Sequence, residues 1–80
     1  MPIARGQIVR SRAGRDKETF LVVTEVKENG VLLCDGKHRP LERPKFKNLR
    51  HVTPCNHFLT EDQLLTNKSV RHGLNDFYRN

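Results

Sequence analysis

The 80-residue sequence has no tryptophan, few aromatic residues and no long apolar run, and these shortages exclude several classes of protein. The apolar run 20–23 is far too short to span a bilayer, and the N-terminal region lacks the apolar stretch of a signal peptide. The glycines occur singly, so no glycine-rich loop is present to hold a nucleotide phosphate. No pattern indicates a Cys–His nucleophile. We therefore predict a cytoplasmic, non-enzymatic protein without a cofactor or a membrane partner.

Cysteine is also scarce, with only Cys34 and Cys55 present. In a cytoplasmic protein both are expected to be reduced thiols, and one disulfide in a small exported fold is the alternative. Together with His38, His51 and His57 they contain enough ligands for a Cys₂His₂ zinc site. However, no pair has the C-x₂₋₄-C spacing of structural zinc sites, and Cys34 falls in an apolar segment. We predict a buried Cys34, surface imidazoles and no metal.

Positive charge is abundant and unevenly distributed. Lysine and arginine number 15 against nine acidic residues, which gives a net charge of +6. Residues 1–17 hold five bases and one acid, and residues 35–51 hold six bases and two acids, whereas 18–34 is net acidic and 52–80 is balanced. A merely soluble surface intersperses both signs. These two basic blocks favour a polyanionic partner, and a solvated charged face is the alternative.

The pattern of apolar residues predicts strands first and helices afterwards. Segments 6–13, 19–26, 31–34 and 48–52 have strand character, and in the first of them Val9, Ser11 and Ala13 are expected to face inward. Asn29-Gly30 and Asp35-Gly36 are type I′ hairpin signals, which predict a three-stranded meander over residues 20–41. Pro40 and Pro44 confine the stretch between them to a sheet edge or a loop. Five short strands with tight turns favour a small barrel.

Helical signals begin at residue 60. Thr60 and Gln63 have the spacing of a capping box, and Asn67 is expected to cap a second helix. The apolar stripe of that helix is Val70, Leu74, Phe77 and Tyr78, and it is expected to pack on the barrel. A partner-binding helix is the alternative. We predict a barrel over residues 1–56 and a helical extension over 57–80.

The segment "GQIVRSRAGRDK", followed by an apolar strand, resembles a KOW motif, the short RNA-binding motif of several ribosomal proteins and NusG-type elongation factors. Nearly the whole chain resembles small bacterial KOW-domain proteins related to a ribosomal large-subunit family, through "VLLCDGKHRPLERPKFKNLRHV" and "LTNKSVRHGLNDF". The resemblance implies an SH3-like five-stranded barrel, and it implies that Gly14 is the pivot of an RNA-contacting loop. A KOW motif has glycine where this chain has Glu18, which is expected to pair with Lys17 or Arg15.

Charge pattern and resemblance together predict binding to RNA, most specifically ribosomal RNA, by a protein that is a monomer when free and that contacts ribosomal proteins. Arginine forks and lysine ammonium groups suit phosphates, and Phe46 would either stack on an unpaired base or cover the end of a strand. A protein-interaction adaptor and a transcription-complex factor are the alternatives. The candidate RNA-binding residues are Arg10, Arg12, Gly14, Arg15, Lys17, Lys37, His38, Arg39, Arg43, Lys45, Phe46, Lys47 and Arg50.

Overall fold

A computed structural model of the protein describes residues 3–14 and 18–79. In these residues the fold consists of one antiparallel sheet and one C-terminal α-helix. The strands are β1 (Gln7–Ser11), β2 (Phe20–Val26), β3 (Gly30–Cys34), β4 (Lys45–Asn48) and β5 (Val52–Phe58), and the helix α1 spans Asn67–Arg79. The strand order is β4-β3-β2-β1-β5, so β4 and β5 lie at the two edges. The prediction of a mainly β chain with a C-terminal helix is confirmed.

Both faces of the sheet are covered, because alternate side chains of each central strand enter different apolar clusters. In β1, Ile8 joins one cluster and Val9 the other, and Arg10 is exposed. Consecutive residues of a strand point to opposite faces, which explains this division. The inner cluster contains Val9, Leu21, Val23, Val31, Leu33 and Val52. The outer cluster, on the face that α1 covers, contains Ile8, Val22, Cys34, Leu59, Leu64, Val70 and Leu74.

The connection between β3 and β4 differs from the predicted hairpin. Gly36 has the expected positive φ of +79°, but residues 35–44 form a loop, and the third strand of the meander is β4 rather than a segment ending near residue 41. The Asp35 side chain accepts hydrogen bonds from the backbone N–H groups of Lys37 and Arg39, both at 2.8 Å. This local turn closes on itself and prevents an immediate return along β3. The prediction that the stretch between Pro40 and Pro44 lies in a loop or at an edge is confirmed.

Two further local predictions are wrong in detail. The turn between β2 and β3 exists, but neither Asn29 nor Gly30 has a positive φ, so it is not type I′. Gly30 instead opens β3, where a Cβ would collide with the ring of Phe46. The segment 48–52 is not a strand, since Leu49–His51 forms a 3₁₀ helix whose first turn is capped by Asn48 Oδ1, which accepts from Arg50 N at 3.1 Å.

The C-terminal helical elements occur in the predicted order, but the residue that caps α1 is not the predicted one. Thr60 and Gln63 form the expected reciprocal pair, with Thr60 N donating to Gln63 Oε1 at 2.8 Å and Gln63 N donating to Thr60 Oγ1 at 3.3 Å. The element they start is only the 3₁₀ helix Asp62–Leu64. Thr66, rather than Asn67, caps α1, because Thr66 Oγ1 accepts from Ser69 N at 3.0 Å. The Asn67 side chain bonds Leu41 N instead and ties α1 to the loop 35–44.

The apolar stripe of α1 packs on the sheet. Val70 and Leu74 are buried in the outer cluster and Phe77 is packed against it, whereas Tyr78 remains more than half exposed. Phe77 and Tyr78 both contact Phe20 of β2 edge to face, with ring centroids 5.0 and 5.2 Å apart. The division between residues 56 and 57 stays a prediction, although β5 runs across it to Phe58.

Candidate nucleic-acid interface

The loop between β1 and β2 carries the C-terminal part of the first basic block, and backbone hydrogen bonds close the base of this loop. Ser11 N donates to Thr19 O and Glu18 N donates to Ser11 O, both at 2.8 Å. Arg12 is exposed, and Gly14 has a φ of +76°, which suits glycine. The predicted contacts Arg15 and Lys17 lie outside the described residues. The loop therefore leaves the sheet at a fixed place and directs the side chain of Arg12 into solvent.

Glu18 has a backbone conformation that is rare for its residue type. Its φ is +70°. Its carboxylate forms an ion pair with Arg10, at 2.7 Å between Oε2 and Nη2. Both side chains are about half exposed, so the pair contributes little to stability. Its main effect is to place a negative charge beside Arg10, which lowers the attraction of that arginine for a phosphate.

Lys47 joins the two basic blocks from the inside of the fold. It pairs with Val31 in the β3–β4 register, and it is only 8% exposed. Its Nζ donates to Ala13 O at 3.0 Å, in the loop that follows β1. A lysine can bury its aliphatic stem while its charged end reaches a polar partner. Lys47 therefore holds the β1–β2 loop against β4, and its contact with the backbone makes it a positioning residue rather than an exposed cation.

The 3₁₀ helix before β5 brings Arg50 and His51 beside Arg12. Arg12 N donates to His51 O at 2.8 Å, and the ladder continues with Ser11 opposite Val52. The side chains of Arg12, Arg50 and His51 are all exposed. We call Arg12, Gly14, Arg50 and His51 the basic rim. The two basic blocks, which residues 18–34 separate in sequence, meet at this rim.

The other bases of the second block lie in the loop 35–44 and at the start of β4. Lys37, His38, Arg43 and Lys45 are exposed, and Arg39 is half buried. Because β3 ends where β2 begins, this loop lies at the same end of the sheet as the β1–β2 loop. Lys37 shares a cleft with Thr19, the last residue before β2. These bases extend the positive surface from the β1–β2 loop towards α1.

Phe46 lies on β4, on the face opposite to that of its neighbour Lys47. It pairs with Leu32 in the β3–β4 register and its ring lies over Gly30, while about 45% of its surface is exposed. Because neighbouring residues of a strand face opposite sides, Phe46 points away from the side on which Lys47 reaches Ala13. Its ring covers the glycine and remains partly open to solvent.

Three side chains of α1 that are not among the predicted RNA-binding residues belong to the same surface. Arg71, Asn75 and Tyr78 line the cleft that contains Lys37. Segment 52–80 has a net charge of zero, but Glu61 is bound to Arg5 at 3.0 Å and takes no part in this cleft. The hydrogen bond from Arg5 also keeps the pKa of the Glu61 carboxyl below its usual value. The three residues have i, i+4, i+7 spacing, which places them on one face of a helix, and this spacing is the sequence signal that could have identified them.

The cysteines and histidines do not converge. Cys34 and Cys55 are free thiols. Within residues 3–14 and 18–79, no group of three or more histidine, cysteine or acidic side chains is placed to hold a metal ion. His38 is exposed on the loop 35–44, and His57 contacts Phe77 edge to face at 5.1 Å between ring centroids. Cys34 lies in the outer cluster as a small apolar side chain, as predicted.

Burial makes Cys34 a source of pH-dependent stability. Desolvation raises the pKa of its thiol from 9.0 to about 11. Between these values the unfolded chain loses this proton and the folded chain keeps it, so the free energy of unfolding falls as the pH rises from 9 to 11. We expect this thiol to account for a loss of about 1 kcal/mol by pH 10. Urea unfolding at pH 8 and pH 10, for the wild type and Cys34→Ala, measures it. Equal pH dependence in both proteins would contradict the assignment.

Comparison with protein-family models finds no match, and comparison with curated proteins finds no significant similarity. No helix in the described part of the chain combines the length and apolar character that crossing a bilayer requires. Function is therefore argued from the residues and their arrangement.

Proposed function

We propose that the chain is a non-enzymatic RNA-binding module, and that its sheet is an SH3-like barrel of the KOW type which binds ribosomal RNA. The observation that carries the proposal is the meeting of the two basic blocks at the basic rim, where Arg12 N donates to His51 O. Exposed arginine side chains on a fixed backbone suit phosphate oxygens, because the guanidinium is planar and donates two parallel hydrogen bonds. RNA phosphates are the regularly spaced anions that fit such a row of cations.

The β1–β2 loop supports the KOW-type assignment. The KOW motif has glycine at the position of Glu18, and Glu18 has the positive φ that glycine adopts easily. The backbone conformation thus agrees with the motif although the residue type differs. Lys47 reinforces the loop from within, so that the loop is ordered at Ala13 before RNA arrives. A preordered loop loses less conformational entropy on binding.

Recognition at the basic rim is expected to depend on RNA shape more than on sequence. The side chains of the rim are two arginines and one histidine, all of which suit phosphates. The deep major groove of A-form RNA hides base edges from side chains, so a protein on the backbone reads the geometry of the duplex. A structured ribosomal RNA, with its closely packed phosphates, is the partner that this chemistry favours.

Salt dependence tests the proposal. We expect the affinity for a structured RNA to fall steeply between about 50 and 200 mM salt, with a log–log slope of about −2 or steeper, since each phosphate contact contributes about −0.7 to −0.9. Fluorescence anisotropy with a labelled RNA hairpin measures the slope, and heparin of similar charge provides the comparison. Affinity that hardly changes with salt would contradict phosphate binding, and equal affinity for heparin would show a general polyanion binder.

A protein-interaction adaptor is the second candidate, favoured by a shallow groove of about 390 Å³ beside the basic rim. Ile3, Leu49, Val52 and Pro54 provide its apolar lining. Grooves that bind proline-rich peptides are lined by aromatic side chains, and this groove has none among its described lining residues. Binding of a partner protein that is insensitive to salt and unaffected by RNA would favour the adaptor.

A further inference from the structure

A cleft of about 300 Å³ lies between α1 and the β3–β4 loop, beside Thr19 at the end of the β1–β2 loop. Lys37 lies on one side, and Arg71, Asn75 and Tyr78 line it from α1. Phe20 and Leu74 supply its apolar part. The volume is at the lower end of the range for small-ligand pockets, about 300–1,000 Å³. A cleft with two cations, an amide and a half-exposed aromatic ring suits a ligand that is both anionic and aromatic.

The ring of Tyr78 is held in place while about half of its surface stays accessible. Its hydroxyl accepts a hydrogen bond from Phe20 N at 3.2 Å, and the two rings meet at an interplanar angle of 82°. Tyr78 is 55% exposed. A ring held by its hydroxyl and by packing against Phe20 loses little freedom when a flat ligand stacks on it. Base–aromatic stacking is the chemistry that such a ring offers.

The charges around the ring favour an anion. Arg71 Nη1 donates to Gly36 O at 2.9 Å, which fixes the guanidinium beside the β3–β4 loop. Lys37 is exposed on the opposite side. Asp35 also lines the cleft, but its Oδ1 already accepts the backbone N–H groups of Lys37 and Arg39. One acid and two bases leave a net positive site, and the arginine fork can still donate to a phosphate.

We propose that this cleft binds one unpaired nucleotide of the RNA, with its base stacked on Tyr78 and a backbone phosphate between Lys37 and Arg71. The Asn75 amide, one helical turn after Arg71, both donates and accepts and is placed to bond the edge of the base. The inference rests on the proposed function and adds to it a preference for a bulged or looped nucleotide. The basic rim would bind the flanking duplex, since single-stranded elements give RNA recognition its specificity.

Two RNAs that differ by a single unpaired nucleotide test the inference. We would measure the affinities of a continuous RNA duplex and of the same duplex with one bulged adenosine, at one salt concentration. The wild type is expected to bind the bulged RNA about tenfold more tightly. Tyr78→Leu is expected to abolish this preference, and Tyr78→Phe, which keeps the ring, is expected to retain it. Arg71→Gln should reduce the affinity for the bulged RNA more than for the duplex, whereas the matched charge change Arg79→Gln on the same helix should affect both equally.

The outcomes distinguish this inference from the proposed function. Two results would overturn the proposal for the cleft and leave the proposal for the basic rim intact. One is tight, salt-dependent binding of both RNAs without a preference for the bulge, and the other is an unchanged preference in Tyr78→Leu. Absence of RNA binding by the wild type would overturn both. Adenosine monophosphate is titrated in parallel, and binding of it as tight as that of the bulged RNA would identify a mononucleotide site instead. Thermal unfolding of each variant confirms that it is folded.

Discussion

Replacing Arg12 and Arg50 together with glutamine is expected to weaken binding to a structured RNA about hundredfold. Each arginine is exposed on the basic rim, on backbone fixed by the Arg12 N to His51 O hydrogen bond. A hydrogen bond to a charged group contributes about 1.5–3 kcal/mol, so two lost contacts give about 3 kcal/mol or more, which is a factor of about 10². The slope of the logarithm of RNA affinity against the logarithm of salt concentration should become shallower by about 1.5. Anisotropy titrations over a range of salt concentrations measure both quantities.

A matched variant separates local contacts from total charge. Lys68→Gln with Arg79→Gln removes the same two charges from exposed positions of α1. We expect less than about threefold loss of affinity for the continuous duplex, because exposed charges act weakly beyond a Debye length of about 8–10 Å. Free energies of unfolding should change by less than about 0.5 kcal/mol in both double variants. Equal losses of RNA affinity in the two proteins would show that net charge, and not the basic rim, determines binding.

Gly36→Ala is expected to lower the free energy of unfolding by about 3 kcal/mol. The φ of Gly36 is +79°, and a left-handed conformation costs other residues about 1–2 kcal/mol. In addition, a Cβ there would collide with the backbone oxygen of Asn67 and lie 3.2 Å from Arg71 N. Helix backbone cannot move aside as a flexible side chain can, so overpacking adds about 1–3 kcal/mol. Urea unfolding at neutral pH measures the change.

Gly14→Ala is the control that isolates the cost of the left-handed backbone conformation. Gly14 has a similar φ of +76°, but among the residues that the structure describes a Cβ there would meet only Lys47 Nζ, at 3.4 Å. We therefore expect a loss of about 1–2 kcal/mol, from conformation without collision. The difference between the two alanine variants measures how closely α1 docks on the β3–β4 loop. If both variants lose the same stability, that docking is looser than the structure indicates.

The first three strands could be predicted from the sequence because their periodicity is local. β1, β2 and β3 alternate or are continuously apolar, and their bounds agree with the predicted segments within one or two residues. The last two strands were displaced because polar side chains redirected the chain. Asp35 closes its own turn, and Asn48 starts a 3₁₀ helix. Such residues are common in loops, and which backbone groups they bond depends on the folded environment.

The charged residues of the candidate site could be predicted from the sequence, but their arrangement on the surface could not. Two basic blocks are visible in the sequence, but the register of β1 with β5 decides that Arg12 lies opposite His51, the residue after Arg50. The burial of Lys47 could not be foreseen, since lysine in a short edge strand is usually solvated. Arg71 was missed for a different reason. Charges summed along residues 52–80 cancel, whereas in the fold two of the three acids, Glu61 and Asp62, precede the helix that carries all three bases.

The two apolar clusters share one sheet, and this has a thermodynamic consequence. Ile8 and Val9 are neighbours in β1, yet they belong to different clusters, and Val22 and Val23 of β2 divide in the same way. Because these strands line both clusters, we expect that loss of packing in one cluster will loosen the strands that line the other. The helical segment and the sheet should therefore open together, as a single cooperative unit in which the amide protons of α1 and of the central strands become exchangeable in the same event.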